Sequence, residues 1–172
     1  RFKGRLIFPI NNISGQPIAL GGRIIEKSDF LAKYINSPET SFFKKGSNLY
    51  NLNSARTLSN KVDNIFLVEG YMDVVGLSKN GIENAVANLG TSLTDKQIFT
   101  LNQFFNDIII CFDGDDSGYK AALRAAENSI KDLKPEKQIS FLFLPNSEDP
   151  DSFVNKNGKE YFIDFSKQNK IL

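Results

Sequence analysis

The chain carries 172 residues, 41% of them hydrophobic and 24% charged, with a net charge of +1, which suffices for one sizeable core and a smaller appended lobe. No apolar run approaches the roughly 18 residues of a membrane-spanning helix and no secretory signal opens the sequence, so no membrane association is expected. With no His and the single Cys111, an internal disulfide is excluded and no zinc site is expected, the expected compartment is a reducing cytoplasm, and any metal must be held by oxygen.

The net charge hides a division. Residues 1–61 hold ten Lys and Arg against three Asp and Glu, a balance of +7, whereas residues 62–172 hold eleven against seventeen, a balance of −6. A basic front and an acidic back fit one lobe that meets polyanionic nucleic acid and another that gathers metal ions; two solvated surfaces are the plainer alternative. The start at Arg1 rather than Met reads as a piece of a longer protein.

Leu6–Ile10 and Gln16–Leu20 read as two strands around the turn signal Asn12–Ile13–Ser14–Gly15, with Gly21–Gly22 breaking the second. Residues 26–49 show no sustained periodicity and read as a long ordered loop. Its Lys33, Tyr34, Phe42, Phe43, Lys44 and Lys45, with Tyr50, suit phosphates and base stacking, although packing is the favoured role for the two Phe residues. A short helix at Asn53–Ser59 leads to a strand, Ile65–Val68, that ends at Glu69–Gly70. Helix at Met72–Ser78, strand at Ala85–Leu89 and helix at Gln97–Phe104 with Thr94 as N-cap follow. Asp107–Phe112 is an apolar strand, and 116–133 is the strongest helical pattern, acidic at its start with an alanine-rich apolar stripe. A strand at Ile139–Leu144 ends in Pro145 and the acidic run Glu148–Asp149–Pro150–Asp151, and short helices close the chain.

From Ile65 onward the order is β-α-β-α-β-α-β with short connections. This predicts an α/β fold, a doubly wound and mainly parallel sheet with helices on both faces (62–172), preceded by a small β-containing basic lobe (1–61). In such sheets ligands bind beyond the carboxyl ends of the strands. Three of the four strands end there in carboxylates: Glu69, then Asp113 and Asp115, then Asp149 and Asp151, with Asp73 four residues past Glu69. Burying uncompensated carboxylates is costly, so a hard divalent cation, Mg²⁺ first, is their natural partner.

The stretch Ile108–Gly118 alone fits several chemistries. Its Asp113–Asp115–Ser117–Gly118 spacing imitates a calcium loop but has Arg124 where a bidentate Glu belongs. It also matches an aspartyl-phosphate phosphatase pattern, with Asp113 as nucleophile, yet that class places such a strand first in its domain. Helix capping by Asp116 and Asp151 is a structural alternative, and a non-catalytic nucleic-acid-binding module is a further one.

Val68–Glu69–Gly70–Tyr71–Met72–Asp73–Val74, Leu89–Gly90–Thr91, Phe112–Asp113–Gly114–Asp115–Asp116–Ser117–Gly118 with Ala121–Ala122, and Asp149–Pro150–Asp151 together resemble the Toprim domain of bacterial replicative primases of the DnaG type. Arg1–Phe2, Arg5, Phe8–Pro9–Ile10, Gly21–Gly22–Arg23 and Lys33–Tyr34–Ile35–Asn36–Ser37–Pro38–Glu39–Thr40 resemble the basic segment ahead of Toprim in that family. Two departures stand out: Ala32 where Pro is usual before Lys33–Tyr34, and Asp116–Ser117 where Arg/Lys–Ala is common, which leaves Asp116 open as ligand or cap.

The resemblance implies a middle fragment of a primase, an RNA polymerase that makes short primers on single-stranded DNA by two-metal nucleotidyl transfer. It implies Asp113, Asp115, Asp149 and Asp151 as ligands of Mg²⁺, with Mn²⁺ as substitute, Glu69 as ligand or general base, and Asp73 completing the acidic pocket. It assigns Arg5, Arg23, Lys33 and Lys45, with Tyr34 and Asn36, to template or primer phosphate and incoming NTP. The implied partners are the DNA template, the RNA primer, NTPs and the replicative helicase, the last through a region outside these residues. A monomer working at the cytoplasmic replication fork, in the nucleoid, is expected.

Overall fold

The computed structural model describes residues 1–26, 30–113, 136–145 and 148–172. The basic lobe is built on a hairpin of β1 (Arg5–Asn11) and β2 (Pro17–Ile24), antiparallel from Arg5↔Ile24 to Asn11↔Pro17. Its turn closes on Asn12, whose Oδ1 accepts from the amides of Ser14 and Gln16, both at 3.0 Å, while Gly15 takes φ +87°. A third strand, β3 (Tyr34–Asn36), pairs with the far edge of β2, so that Gly21 faces Asn36 and Arg23 faces Tyr34.

Two expectations are thereby corrected. Gly21–Gly22 lies inside β2 rather than ending it, because large rings occupy the space a side chain would fill: a Cβ at Gly21 would stand 2.7 Å from the Tyr71 ring, and one at Gly22 2.7 Å from Phe2. The long loop is also less irregular than its composition suggests, since it contains β3 and the 3-10 turn Lys45–Ser47. The two Phe residues part company at a bend, where Oγ1 of Thr40 accepts from the amides of Phe42 at 3.2 Å and Phe43 at 3.1 Å. Phe43 is buried in the lobe's core, whereas Phe42 is 81% exposed.

The second unit runs α1 (Leu52–Ala55), β4 (Asn64–Val68), α2 (Tyr71–Lys79), β5 (Ala85–Ala87), α3 (Asp95–Asn102), β6 (Asp107–Phe112), β7 (Gln138–Phe143), α4 (Pro150–Asn157) and α5 (Lys159–Asn169). The four strands form a parallel sheet in the order β5-β4-β6-β7. The helix expected over 116–133 lies outside the described residues.

Strand residues alternate between two cores, as a sheet covered on both faces requires. Ile65, Leu67, Val86, Ile108 and Ile110 pack with Leu52, Ile98, Leu101 and Phe105 of α1, α3 and the turn after α3. Phe66, Val68, Ala85, Ile109 and Cys111 pack on the other side with Val74 and Leu77 of α2, Phe153 of α4 and Phe162 of α5. Each fully buried Leu, Ile or Phe contributes about 2 kcal/mol of transfer free energy, so the strands stay fixed while the loops at their ends carry the chemistry. Leu49, Leu52 and Ala55 belong to the sheet's core, and Tyr50 bonds Ala87 in both directions, at 2.9 and 3.2 Å. At the other edge, Ile171 pairs with Phe141 of β7. Among the described residues no helix is long and apolar enough to cross a membrane.

The chain passes from β4 outward to β5 and then back across β4 to β6. The switch point therefore falls between β4 and β6, and the residues that follow those two strands are Glu69 and Asp113.

Candidate active site

The acidic side is assembled from three strand ends. Gly70, extended at φ −132°, is the N-cap of α2, and Asp73 at the third helical position accepts the Gly70 amide on Oδ2 at 2.9 Å. That capping bond turns the Asp73 carboxylate back toward the Gly70 amide, and the residue is 8% exposed. On α4, Asp149 is the N-cap: its Oδ1 accepts the Ser152 amide at 2.7 Å, and Pro150 occupies the first turn. Asp151 follows within that turn. Its Oδ1 accepts from Nδ2 of Asn155 at 2.7 Å, and its backbone N–H donates to Asp73. The close crossing of α2 and α4 needs Gly76, since a Cβ there would lie 2.1 Å from Oδ1 of Asp151.

The carboxyl of Asp73 is pushed up to about 7. Burial is the main cause, the charge of Asp149 adds to it and that of Asp113 adds further, while the amides of Gly70 and Asp151 pull the other way. Asp73, Asp149 and Asp113, from three separate elements, thus share one electrostatic field. The donor set is oxygen throughout, which suits a hard cation, and a cation would relieve that mutual repulsion. Among the described residues no three carboxylates stand close enough to hold an ion by themselves. Asp115 and Asp116 lie outside the described residues.

The basic lobe faces this field through Tyr34. Arg23, opposite Tyr34 in the β2–β3 register, hydrogen-bonds the phenol oxygen. The Tyr34 hydroxyl is held above its ordinary pKa by burial; Arg23 lowers it, and Asp73 and Asp149 raise it. Among the described residues the buried Nε of Arg23 has no hydrogen-bond partner. Lys33 places Nζ 5.7 Å over the Tyr34 ring.

The other predicted basic-lobe residues are engaged differently. Arg5 donates from Nη1 to the carbonyls of Lys33 at 3.3 Å and Gly22 at 3.4 Å, tying the lobe's main chain together. Asn36 donates from Nδ2 to Leu89 O at 2.8 Å and accepts from the Tyr71 hydroxyl on Oδ1. Lys45 sits beside the start of α3, where its amide donates to Oε1 of Glu39 at 2.7 Å and its carbonyl accepts from Nε2 of Gln97 at 3.0 Å.

Two residues outside the sequence-derived set organise these surroundings. Gln97, buried in α3, also donates to Asn48 O at 2.9 Å and accepts the Thr94 amide at 3.1 Å. Its signal was present in Thr94-x-x-Gln97, a capping box. Tyr71 opens α2 and is 4% exposed; a tyrosine beside a helix-capping Gly carries no local sign that it packs against another lobe.

Comparison with known proteins bears on this arrangement. Residues 1–56 match the family described as DNA primase catalytic core, N-terminal domain, and residues 63–143 match the Toprim domain. The DNA primase of Pseudomonas aeruginosa is 48% identical over 162 residues, which are 94% of this chain and 24% of that protein. The DNA primase of Haemophilus influenzae is 41% identical over the whole chain and 29% of its own length. A crystal structure of a DNA primase domain from Pseudomonas aeruginosa superposes with a TM-score of 0.93 at 46% identity, covering 99% of this chain and 52% of that one. A structure titled as the DnaG primase catalytic domain bound to ssDNA gives 0.92 at 43%, covering 98% and 54%. The chain therefore spans about a quarter of the length of the curated relatives it matches.

Proposed function

Because this chain belongs to the DnaG-type primases, joining the N-terminal domain of their catalytic core to a Toprim domain, we propose that it is the part of a DNA primase in which RNA primers are synthesised on single-stranded DNA. The observation that carries this reading is the opposition of Arg23 and Tyr34 to the field of Asp73, Asp149 and Asp113, at the switch point where the fold leaves its crevice. A cation-lined wall facing a carboxylate wall suits a nucleoside triphosphate, whose phosphates bridge the two.

In the proposed reaction the 3′-hydroxyl of the primer attacks the α-phosphorus of the incoming NTP. A P–O bond forms, the bond to the β-phosphate breaks, and pyrophosphate leaves. Arg23 and Lys33 hold triphosphate or backbone phosphate, with the Arg23 Nε as a buried donor suited to an anionic oxygen. Arg5 and Lys45 extend the basic track along the lobe, and Tyr34 keeps Arg23 oriented.

Glu69, Asp113 and Asp115, with Asp149 and Asp151, would hold the divalent ions, Mg²⁺ or Mn²⁺ in its place. When bound, two such ions supply activation of the attacking oxygen and neutralisation of the leaving one. Glu69 serves as one of these ligands or takes the hydroxyl proton. Asp73 tightens the field around them from its capped, buried position. The single-stranded DNA in a relative's structure supports the template as the second ligand. The phosphatase reading needs Asp113 on the first strand of its domain, and β6 is the third strand of the parallel sheet in chain order. In the cell the reading places the protein as a monomer in the cytoplasm, at the fork beside the helicase.

The test uses the full-length protein, single-stranded template and labelled NTPs. Asp113→Asn is expected to abolish primer synthesis while single-strand affinity is retained or slightly increased, because one negative charge is lost. Undiminished synthesis by Asp113→Asn would overturn the reading.

A further inference from the structure

Asn36 and Tyr71 meet across the two lobes in a way that the polymerase chemistry does not by itself require. Tyr71 opens α2, directly after the Glu69–Gly70 strand end, yet its ring lies in the core of the basic lobe. There it stacks on Phe8 at 5.1 Å between centroids and 16° between planes, and meets Tyr50 edge-on at 4.8 Å. Gly21 of β2 leaves the room: a Cβ there would stand 2.7 Å from ring carbons and 2.8 Å from the hydroxyl. The hydroxyl donates to Oδ1 of Asn36, while Nδ2 of the same side chain donates to Leu89 O at 2.8 Å. One carboxamide in β3 thus grips two points of the parallel-sheet lobe, one after β4 and one after β5, and both lie at the carboxyl ends of their strands.

The placement of this grip has a geometric consequence. Asn36 is two residues from Tyr34, and Tyr71 is two residues from both Glu69 and Asp73. The bond between Asn36 and Tyr71 therefore lies close in sequence to both the Arg23–Tyr34 pair and the carboxylates they face.

We infer that Asn36 and Tyr71 form an interlobe clamp, acting as positioning residues that hold the basic wall in register with the acidic one, and that Asn36 does so in place of contacting nucleotide or nucleic acid directly. The inference rests on the primase reading for its effect on catalysis and on geometry alone for its effect on lobe alignment, and the two are separable by experiment.

The experiment compares full-length wild type with Tyr71→Phe, Asn36→Ala and the double variant. Tyr71→Phe keeps the ring packing and removes only the hydroxyl. Primer-synthesis kinetics give kcat and KM for NTP, and hydrogen exchange followed by mass spectrometry reports on residues 33–38 without reference to activity. Misalignment of a reacting pair costs about 10- to 100-fold. Each single variant is therefore expected to lose kcat in that range, with KM for NTP changing by no more than about twofold. The double variant should lose no more than the worse single one, since both act through one bond. Exchange at 33–38 should rise in all three.

Unchanged exchange, or additive losses in the double variant, would overturn the clamp. So would an Asn36→Ala protein with raised KM beside a silent Tyr71→Phe, because that pattern makes Asn36 a direct ligand contact. If exchange rises as expected in a protein whose wild type makes no primer, the clamp stands and the primase reading fails.

Discussion

Replacing Asp73 by Asn tests whether burial, reinforced by the neighbouring carboxylates, holds the Asp73 carboxyl above its ordinary range. In the folded chain the Asp73 carboxyl titrates near 7, against an ordinary value of 3.8. A carboxyl that binds its proton more tightly when folded costs stability as pH rises from about 4 to about 7. At 1.36 kcal/mol per pKa unit, the displacement sets a ceiling of about 4 kcal/mol on that loss. The isosteric Asp73→Asn keeps an oxygen to accept the Gly70 amide and has no charge to repel Asp149 and Asp113. The stability difference between the variant and wild type, in the absence of divalent ions, should therefore move in the variant's favour between pH 5 and pH 8. Over that window its size should be about 1–3 kcal/mol once local relaxation is allowed for. Hydrogen exchange at the buried amides of Leu67 and Ile109, compared at each pH so that intrinsic exchange cancels, follows the opening of the sheet in the full-length protein. Mg²⁺ should narrow the difference at pH 8 by stabilising wild type. A difference that is flat with pH, or moves the other way, would refute the raised Asp73 carboxyl.

The remaining predictions concern the two walls and their support. Arg23→Ala should weaken NTP and single-strand binding, and the slope of log K against log salt should fall in magnitude by about 1 in a fluorescence-anisotropy titration. Gly76→Ala should lower the stability of the parallel-sheet unit by about 1–3 kcal/mol, read as a drop in thermal midpoint, because the new methyl would press on the Asp151 carboxylate and its Cα.

The parallel sheet was legible because its strands are mostly apolar runs, β-branched above all in β6, and because burial on both faces leaves little room for polar residues inside them. The positions of Glu69 and Asp113 followed from the same reasoning, since strand ends are where such a sheet exposes functional groups. β3 and the 3-10 turn Lys45–Ser47 escaped, although the equally short β5 did not. The three residues of β3 are too few for any period to show, and its existence depends on a Gly-Gly edge of β2 whose side-chain space is filled by Tyr71 and Phe2. Residue type also leaves roles undecided. An Asp ahead of Pro serves equally as metal ligand and as helix cap, and capping, which the sequence suggested for Asp116 and Asp151, is what Asp149 does for α4. Asn36 reads as a ligand-binding polar residue in a basic segment, yet both ends of its amide are engaged by the other lobe, a pairing that spans 35 and 53 residues of sequence and leaves no local trace.

Diffraction from crystals of the full-length protein soaked with Mn²⁺ and an NTP tests the central claim most directly. Anomalous peaks are expected against the Glu69 and Asp113 carboxylates, with the triphosphate lying between them and Arg23. Ions bound away from those carboxylates, or a beryllium fluoride adduct trapped on Asp113 in a parallel soak, would contradict it.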